Sequence, residues 1–101
     1  MAEKKKSAPA KKNPETPAAA GPFTLSRVLK VTKPLMKGDD VKAVQDALIA
    51  LGYGVGVDGA NGIYGMATAL AVRHFQSMNR LIVSGKVEKF TAQALGATWE
   101  G

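Results

Sequence analysis

The chain has 101 residues, a net charge of +6 at neutral pH, 46% hydrophobic residues and no cysteine. That length holds one domain at most, the missing cysteine excludes disulfide staples and thiolate metal sites, and the single histidine cannot build a zinc site by itself. No apolar run approaches the ~20 residues that cross a bilayer, so no membrane insertion is expected.

Residues 1–22 read as a disordered basic tail rich in Lys, Ala and Pro. Five lysines and two glutamates fall there, with no aromatic or β-branched aliphatic side chain to offset the entropy of ordering. The start, Met1-Ala2-Glu3-Lys4-Lys5-Lys6, has the charge of a secretory leader, but Ser7, Pro9 and Lys11 stand where an apolar stretch would follow, so no signal peptide is expected. Such a tail suits a linker, a solubilising extension or an arm that attracts polyanions.

Residues 23–34 form the next segment. Phe23, Leu25, Leu29 and Val31 alternate in part with polar residues, which predicts a short extended lead-in, closed by Lys33-Pro34 and laid as an edge piece over the helices. The domain proper is expected over residues 35–101. Its first helix is capped by Asp39 and carries one apolar stripe, Val41, Val44, Leu48 and Leu51; Asp39 and Asp40 suit the positive end of the helix dipole, and Gly52 stops the helix.

Tyr53-Gly54-Val55-Gly56 then leads into a loop, Val57 to Tyr64, in which Asp58, Gly59, Asn61 and Gly62 demand a shaped backbone with positive φ or close approach. The second helix is predicted from about Gly65–Ala67 to Met78 or Asn79, burying Leu70, Ala71, Phe75 and Met78. A short apolar segment, Leu81-Ile82-Val83, and a Ser84-Gly85 turn precede a third helix over Glu88 to Leu95, ended by Gly96. Trp99 beyond that stop either packs back as a lid or frays.

An internal repeat runs through the second half. Gly62, Tyr64, Thr68, Ala71 and Val72 are matched at a constant offset of 23 residues by Gly85, Val87, Thr91, Ala94 and Leu95. A glycine turn feeding a helix is thus written twice. With the first helix, the two copies predict an all-α fold: a small three-helix bundle with glycine-rich loops and a short extended N-terminal segment.

For chemistry the sequence offers binding groups more readily than catalytic ones. His74 beside Phe75 reads as a surface or packing histidine, and Asp39 and Asp40 as helix-start residues, so no catalytic residue, cofactor or metal is expected. Flat aromatic faces from Tyr53 and Tyr64, amides from Asn61 and Gln76, and a carboxylate clamp from Arg73 would suit a polymer of sugars and peptides. Each has an architectural reading beside it. Tyr64 could plug the helix start, Gln45 and Gln76 could tie loops to helices, and Asp58 favours bonds to backbone amides of its own loop.

The run Gly38-Asp39-Asp40-Val41, Val44-Gln45, Leu48, Leu51-Gly52-Tyr53, Val57-Asp58-Gly59, Gly62-Ile63-Tyr64-Gly65, Thr68, Ala71-Val72, Phe75-Gln76, Gly85, Val87, Thr91 and Ala94-Leu95 resembles the peptidoglycan-binding domain of the PGBD-like superfamily. The resemblance implies a three-helix module that attaches to bacterial cell wall, as found in wall hydrolases and phage endolysins. It points to a non-catalytic module holding peptidoglycan between the loop and the second helix, with Asp58, Asn61, Tyr64, Arg73, Gln76 and Tyr53 as the candidate ligand set. The alternative is a phage structural or accessory protein that reuses the fold to hold a protein partner. Nucleic acid ranks last, since only the tail offers a dense run of lysines. A monomer is expected, at the cell wall or on a virion after release by lysis, and cytoplasmic until then.

Overall fold

The stripe of Val41, Val44 and Leu48 becomes the buried face of α1 (Asp39–Ala50) in a computed structural model that describes residues 23–101. The expected tail, residues 1–22, lies outside the described residues. After α1 come α2 (Met66–Met78) and α3 (Lys89–Ala94), and two short strands, β1 (Thr24–Leu25) and β2 (Thr98–Trp99), flank the helices in sequence. The three predicted helices are all present, and Val41, Val44, Leu48, Tyr64, Val72 and Phe75 form the centre of one core.

Details differ from expectation in ways that packing explains. Gly38, not Asp39, holds the N-cap position of α1, and no side chain caps that helix; Asp39 is its first residue. Leu51 is the C-cap and stays 54% exposed. On α2, Leu70 and Met78 face solvent, whereas Thr68 and Gln76 are buried. Leu70 stands about 200° from Val72 and about 140° from Phe75 around the helix, so it cannot share their inward face.

The lead-in is part of the core and not merely laid over it. Leu25 and Leu29 are fully buried. β1 pairs in parallel with β2, Thr24 opposite Thr98 and Leu25 opposite Trp99, which also fixes Trp99 half-buried against the core. Leu29 and Val87 exchange backbone hydrogen bonds of 3.1 and 2.8 Å, tying the lead-in to the entry of α3.

An ion pair fastens the same segment to α1. Arg27 Nε donates to Asp40 Oδ2 at 2.7 Å and Arg27 Nη2 to Asp40 Oδ1 at 3.0 Å, while Nη2 also reaches the Lys37 carbonyl at 2.8 Å. The Arg27 side chain holds the Asp40 carboxyl below the usual carboxylate range. A depressed folded-state pKa contributes stability that is present above the unfolded value near 4 and is lost as pH falls below it. Asp40→Asn is therefore expected to lower stability at neutral pH by about 0.5–1 kcal/mol, the upper range for an exposed pair, with the gap closing toward pH 3. Urea unfolding at both pH values checks this; an equal gap at both would show that the pair contributes nothing through charge.

All three helices stop in the same way. The N–H of the residue two past each C-cap donates to the carbonyl five residues back: Tyr53 to Leu48 (2.8 Å), Leu81 to Gln76 (2.9 Å) and Ala97 to Ala92 (2.9 Å). The residue between is left-handed, as this motif requires: Gly52 at φ 94°, Arg80 at φ 60° and Gly96 at φ 95°.

Candidate functional site

The repeat seen in sequence is completed by two glutamines. Gln45 on α1 donates from Nε2 to the Ile63 carbonyl and Thr68 Oγ1, both at 2.9 Å, with Asn61 Oδ1 at 3.3 Å, and its Oε1 accepts from Gly62 N–H at 2.8 Å. Gln76 on α2 does the same one unit later. Its Nε2 reaches the Lys86 carbonyl (2.9 Å), Thr91 Oγ1 (3.1 Å) and Ser84 Oγ (3.3 Å), and its Oε1 accepts from Ser84 and Gly85 N–H at 2.9 and 3.0 Å. Each partner in one set matches its counterpart at the offset of 23 residues: Asn61 with Ser84, Gly62 with Gly85, Ile63 with Lys86, Thr68 with Thr91. A buried glutamine on each helix thus holds the loop and first turn of the next.

The structure gives three of the candidate ligand residues internal roles. Gln76 is 1% exposed and its amide is consumed inside the protein, so it is not available to a ligand. Asn61, although exposed, spends its side-chain oxygen on Ile63 N–H at 3.0 Å, as Ser84 Oγ does on Lys86 N–H at 3.1 Å; it is the turn residue of its loop. Tyr64 is fully buried, and its hydroxyl donates to the Gly85 carbonyl at 2.6 Å. Burial pushes its phenol well above the ordinary tyrosine value, so it stays neutral.

The remaining three candidates lie apart. Asp58 is exposed and has no hydrogen-bond partner among the described residues; Asn61 supplies the self-bonded turn that was expected of it. Arg73 is exposed on one flank of α2, its stem lying on the Gly85 loop: a Cβ on Gly85 would stand 3.2 Å from Arg73 Cγ. Tyr53 lies on the other flank and lines an open groove of about 360 Å³ between the Gly52–Gly56 segment and the outer face of α2, whose floor and rim include Ala67, Leu70, Ala71 and His74.

The Tyr53 ring is held rigid. It packs edge-on against His74 at 5.1 Å between centroids and against Phe75 at 5.5 Å. Leu70, 59% exposed, adds an apolar wall. A packed aromatic beside an apolar wall and open backbone suits a ligand that offers apolar faces and amide edges, with little rotamer entropy left to lose on binding. Sequence reasoning passed over His74 and Leu70 as groove residues, because they come to line one groove with Tyr53 only when the loop folds back on α2.

Two of the groups that could do acid–base chemistry are engaged in packing or pairing. Asp40 is paired with Arg27, and His74 is a packing partner of Tyr53. Among the described residues, no group of three or more His, Cys, Asp or Glu is placed to hold a metal ion.

Residues 37–95 match a family model described as "Putative peptidoglycan binding domain". The chain is 47% identical over 68 residues to the N-acetylmuramoyl-L-alanine amidase XlyB of Bacillus subtilis (strain 168), covering 62% of this chain and 22% of that protein. It is 40% identical over 80 residues to the amidase CwlL of Bacillus licheniformis, covering 74% of this chain and 22% of that protein. The chain therefore spans about a fifth of the length of these relatives. Among solved structures, the SleB N-terminal domain superposes with a TM-score of 0.63 at 29% identity, covering 71% of this chain and 92% of that one. A peptidoglycan-binding protein from Clostridioides difficile, solved with glutamine hydroxamate, does so with a TM-score of 0.62 at 32% identity, covering 70% and 41%.

Proposed function

This chain belongs to the peptidoglycan-binding domain family, and from that membership we propose that it is a non-catalytic module that holds bacterial cell wall in the Tyr53 groove. The observation that carries the site is the clamping of Tyr53 between His74 and Phe75 at the edge of an open groove. Arg73 and Asp58 are proposed as peripheral polar contacts. Attachment is to peptidoglycan, as a monomer, at the cell wall or on a virion after release by lysis. A basic tail that links the module or attracts anionic wall polymers fits the same picture. The second reading, a phage accessory protein that grips a protein partner, draws on the exposed apolar residues Val57, Met66 and Leu70, the last of which lines the same groove.

The test is co-sedimentation of the full chain with purified sacculi. Retention is expected at low and high salt, because the groove itself is largely uncharged. Tyr53→Ala and the surface change Leu70→Ser are each expected to weaken binding about tenfold, the loss of roughly 1.4 kcal/mol from an anchoring contact. Failure of sacculi to retain the parent at low salt would overturn the reading, and parental binding by both variants would move the site elsewhere. Retention that vanishes at high salt would move the attraction from the Tyr53 groove to charged groups, the lysines of the tail among them.

A further inference from the structure

The second helix stop differs from its two sisters in one residue. Gly52 and Gly96 occupy the left-handed position after α1 and α3, while Arg80 occupies it after α2 at φ 60°. Side chains adopt that conformation at a cost that glycine avoids, and the sister turns show what the same backbone uses when nothing else is asked of it. The Arg80 turn makes the same two backbone bonds as the glycine turns, and its guanidinium has no hydrogen bond or ion pair among the described residues.

The Arg80 side chain instead lines a second groove, of about 450 Å³, which shares no residue with the Tyr53 groove. Ile82 and Phe90, 88% and 70% exposed, leave apolar surface open there. Lys86 adds a second cation and Glu88 one anion, so the lining keeps a net positive charge. Its inner wall is the Gln76–Thr91 pair, already satisfied by internal hydrogen bonds.

We infer that this groove is a second binding site, for a peptide segment that carries a carboxylate beside apolar side chains. Arg80 forks onto the carboxylate with Lys86 in support, and Ile82 and Phe90 take the side chains. A neutral sugar chain gives no reason to hold a strained arginine in place; a carboxylate does. The identity of the ligand rests on the wall-binding reading, since the stem peptides of peptidoglycan combine small apolar residues with free carboxylates. The two grooves then divide the polymer, with peptide assigned to the Arg80 side.

The test titrates the full chain, followed by NMR, with a soluble stem pentapeptide bearing free carboxylates and with the same peptide amidated. Expected shifts fall on Arg80, Ile82, Lys86 and Phe90, and amidation weakens binding about tenfold. Arg80→Gly is the decisive variant: it is expected to melt at the parental temperature or about 4 °C higher, yet to bind the peptide about tenfold more weakly. Lys86→Gln, which leaves the turn untouched, is expected to weaken binding about threefold. Parental affinity in Arg80→Gly, or shifts confined to the Tyr53 groove, overturns the proposal. Retention by sacculi without any pentapeptide shift at Arg80 and Phe90 removes this site and leaves wall binding standing. Pentapeptide binding at Arg80 without retention by sacculi does the reverse.

Discussion

Replacement of Gln45 or Gln76 by leucine, close in volume, is expected to destabilise the domain by about 3 kcal/mol in each case, with no selective effect on ligand binding. Loss of Gln45 leaves the Gly62 N–H, the Ile63 carbonyl and the Thr68 hydroxyl without their partner; loss of Gln76 leaves the Ser84 and Gly85 N–H groups, the Lys86 carbonyl and the Thr91 hydroxyl. Each buried polar group so orphaned costs roughly 1–3 kcal/mol, partly relieved where water can enter. A domain of this size has only about 4–12 kcal/mol to lose, so the melting temperature should fall by more than about 10 °C. Urea or thermal unfolding monitored by the Trp99 fluorescence measures both variants. Matched losses are the signature of a duplicated structural device. A Gln76→Leu chain with parental stability and impaired retention by sacculi would restore Gln76 to the ligand set.

The glutamines also show where sequence ran out. Val41, Val44 and Leu48 were legible because an apolar stripe at helical spacing needs no partner to be recognised, and the glycine-threonine echo was legible because its members keep a constant offset. Gln45 and Gln76 stand 31 residues apart, not 23, since the loop after α1 is longer than the loop after α2 and Gln76 lies nearer the end of its helix, so a fixed-offset comparison could not pair them. Hydrophobicity alone predicts Leu70 inward, whereas Thr68 and Gln76 occupy the inward face through hydrogen bonds. The two-residue parallel pairing of Leu25 with Trp99 is too short to leave an alternating pattern. Of the candidate site, Tyr53 and Arg73 could be named from residue type, but the groove could not. It depends on the rotation of α2, which brings His74 to Tyr53 and carries Arg73 to the opposite flank.

Tyr64 carries the other large effect. Its alanine variant is expected to lose about 3–5 kcal/mol, a large share of the stability of a domain this size, because a fully buried aromatic leaves a cavity at the centre of the core. That variant therefore says nothing about binding. Tyr64→Phe separates the roles: it keeps the ring and removes only the hydroxyl that donates to Gly85. Its expected loss is about 1–2 kcal/mol, the cost of an unpaired buried carbonyl, with parental retention by sacculi below its melting temperature. The phenol has no counterpart in Val87 because it bridges the copies, running from the first unit to the glycine of the second. pH supplies an independent check. The folded-state pKa is raised by burial, so the contribution is whole below the unfolded value near 10 and is lost as pH rises above it. Between about pH 9 and 11 the parent should lose stability relative to Tyr64→Phe, the other titrating groups being common to both. A constant difference across that range would mean that the hydroxyl is not buried as described, and weaker binding by a fully folded Tyr64→Phe chain would return the phenol to the ligand surface.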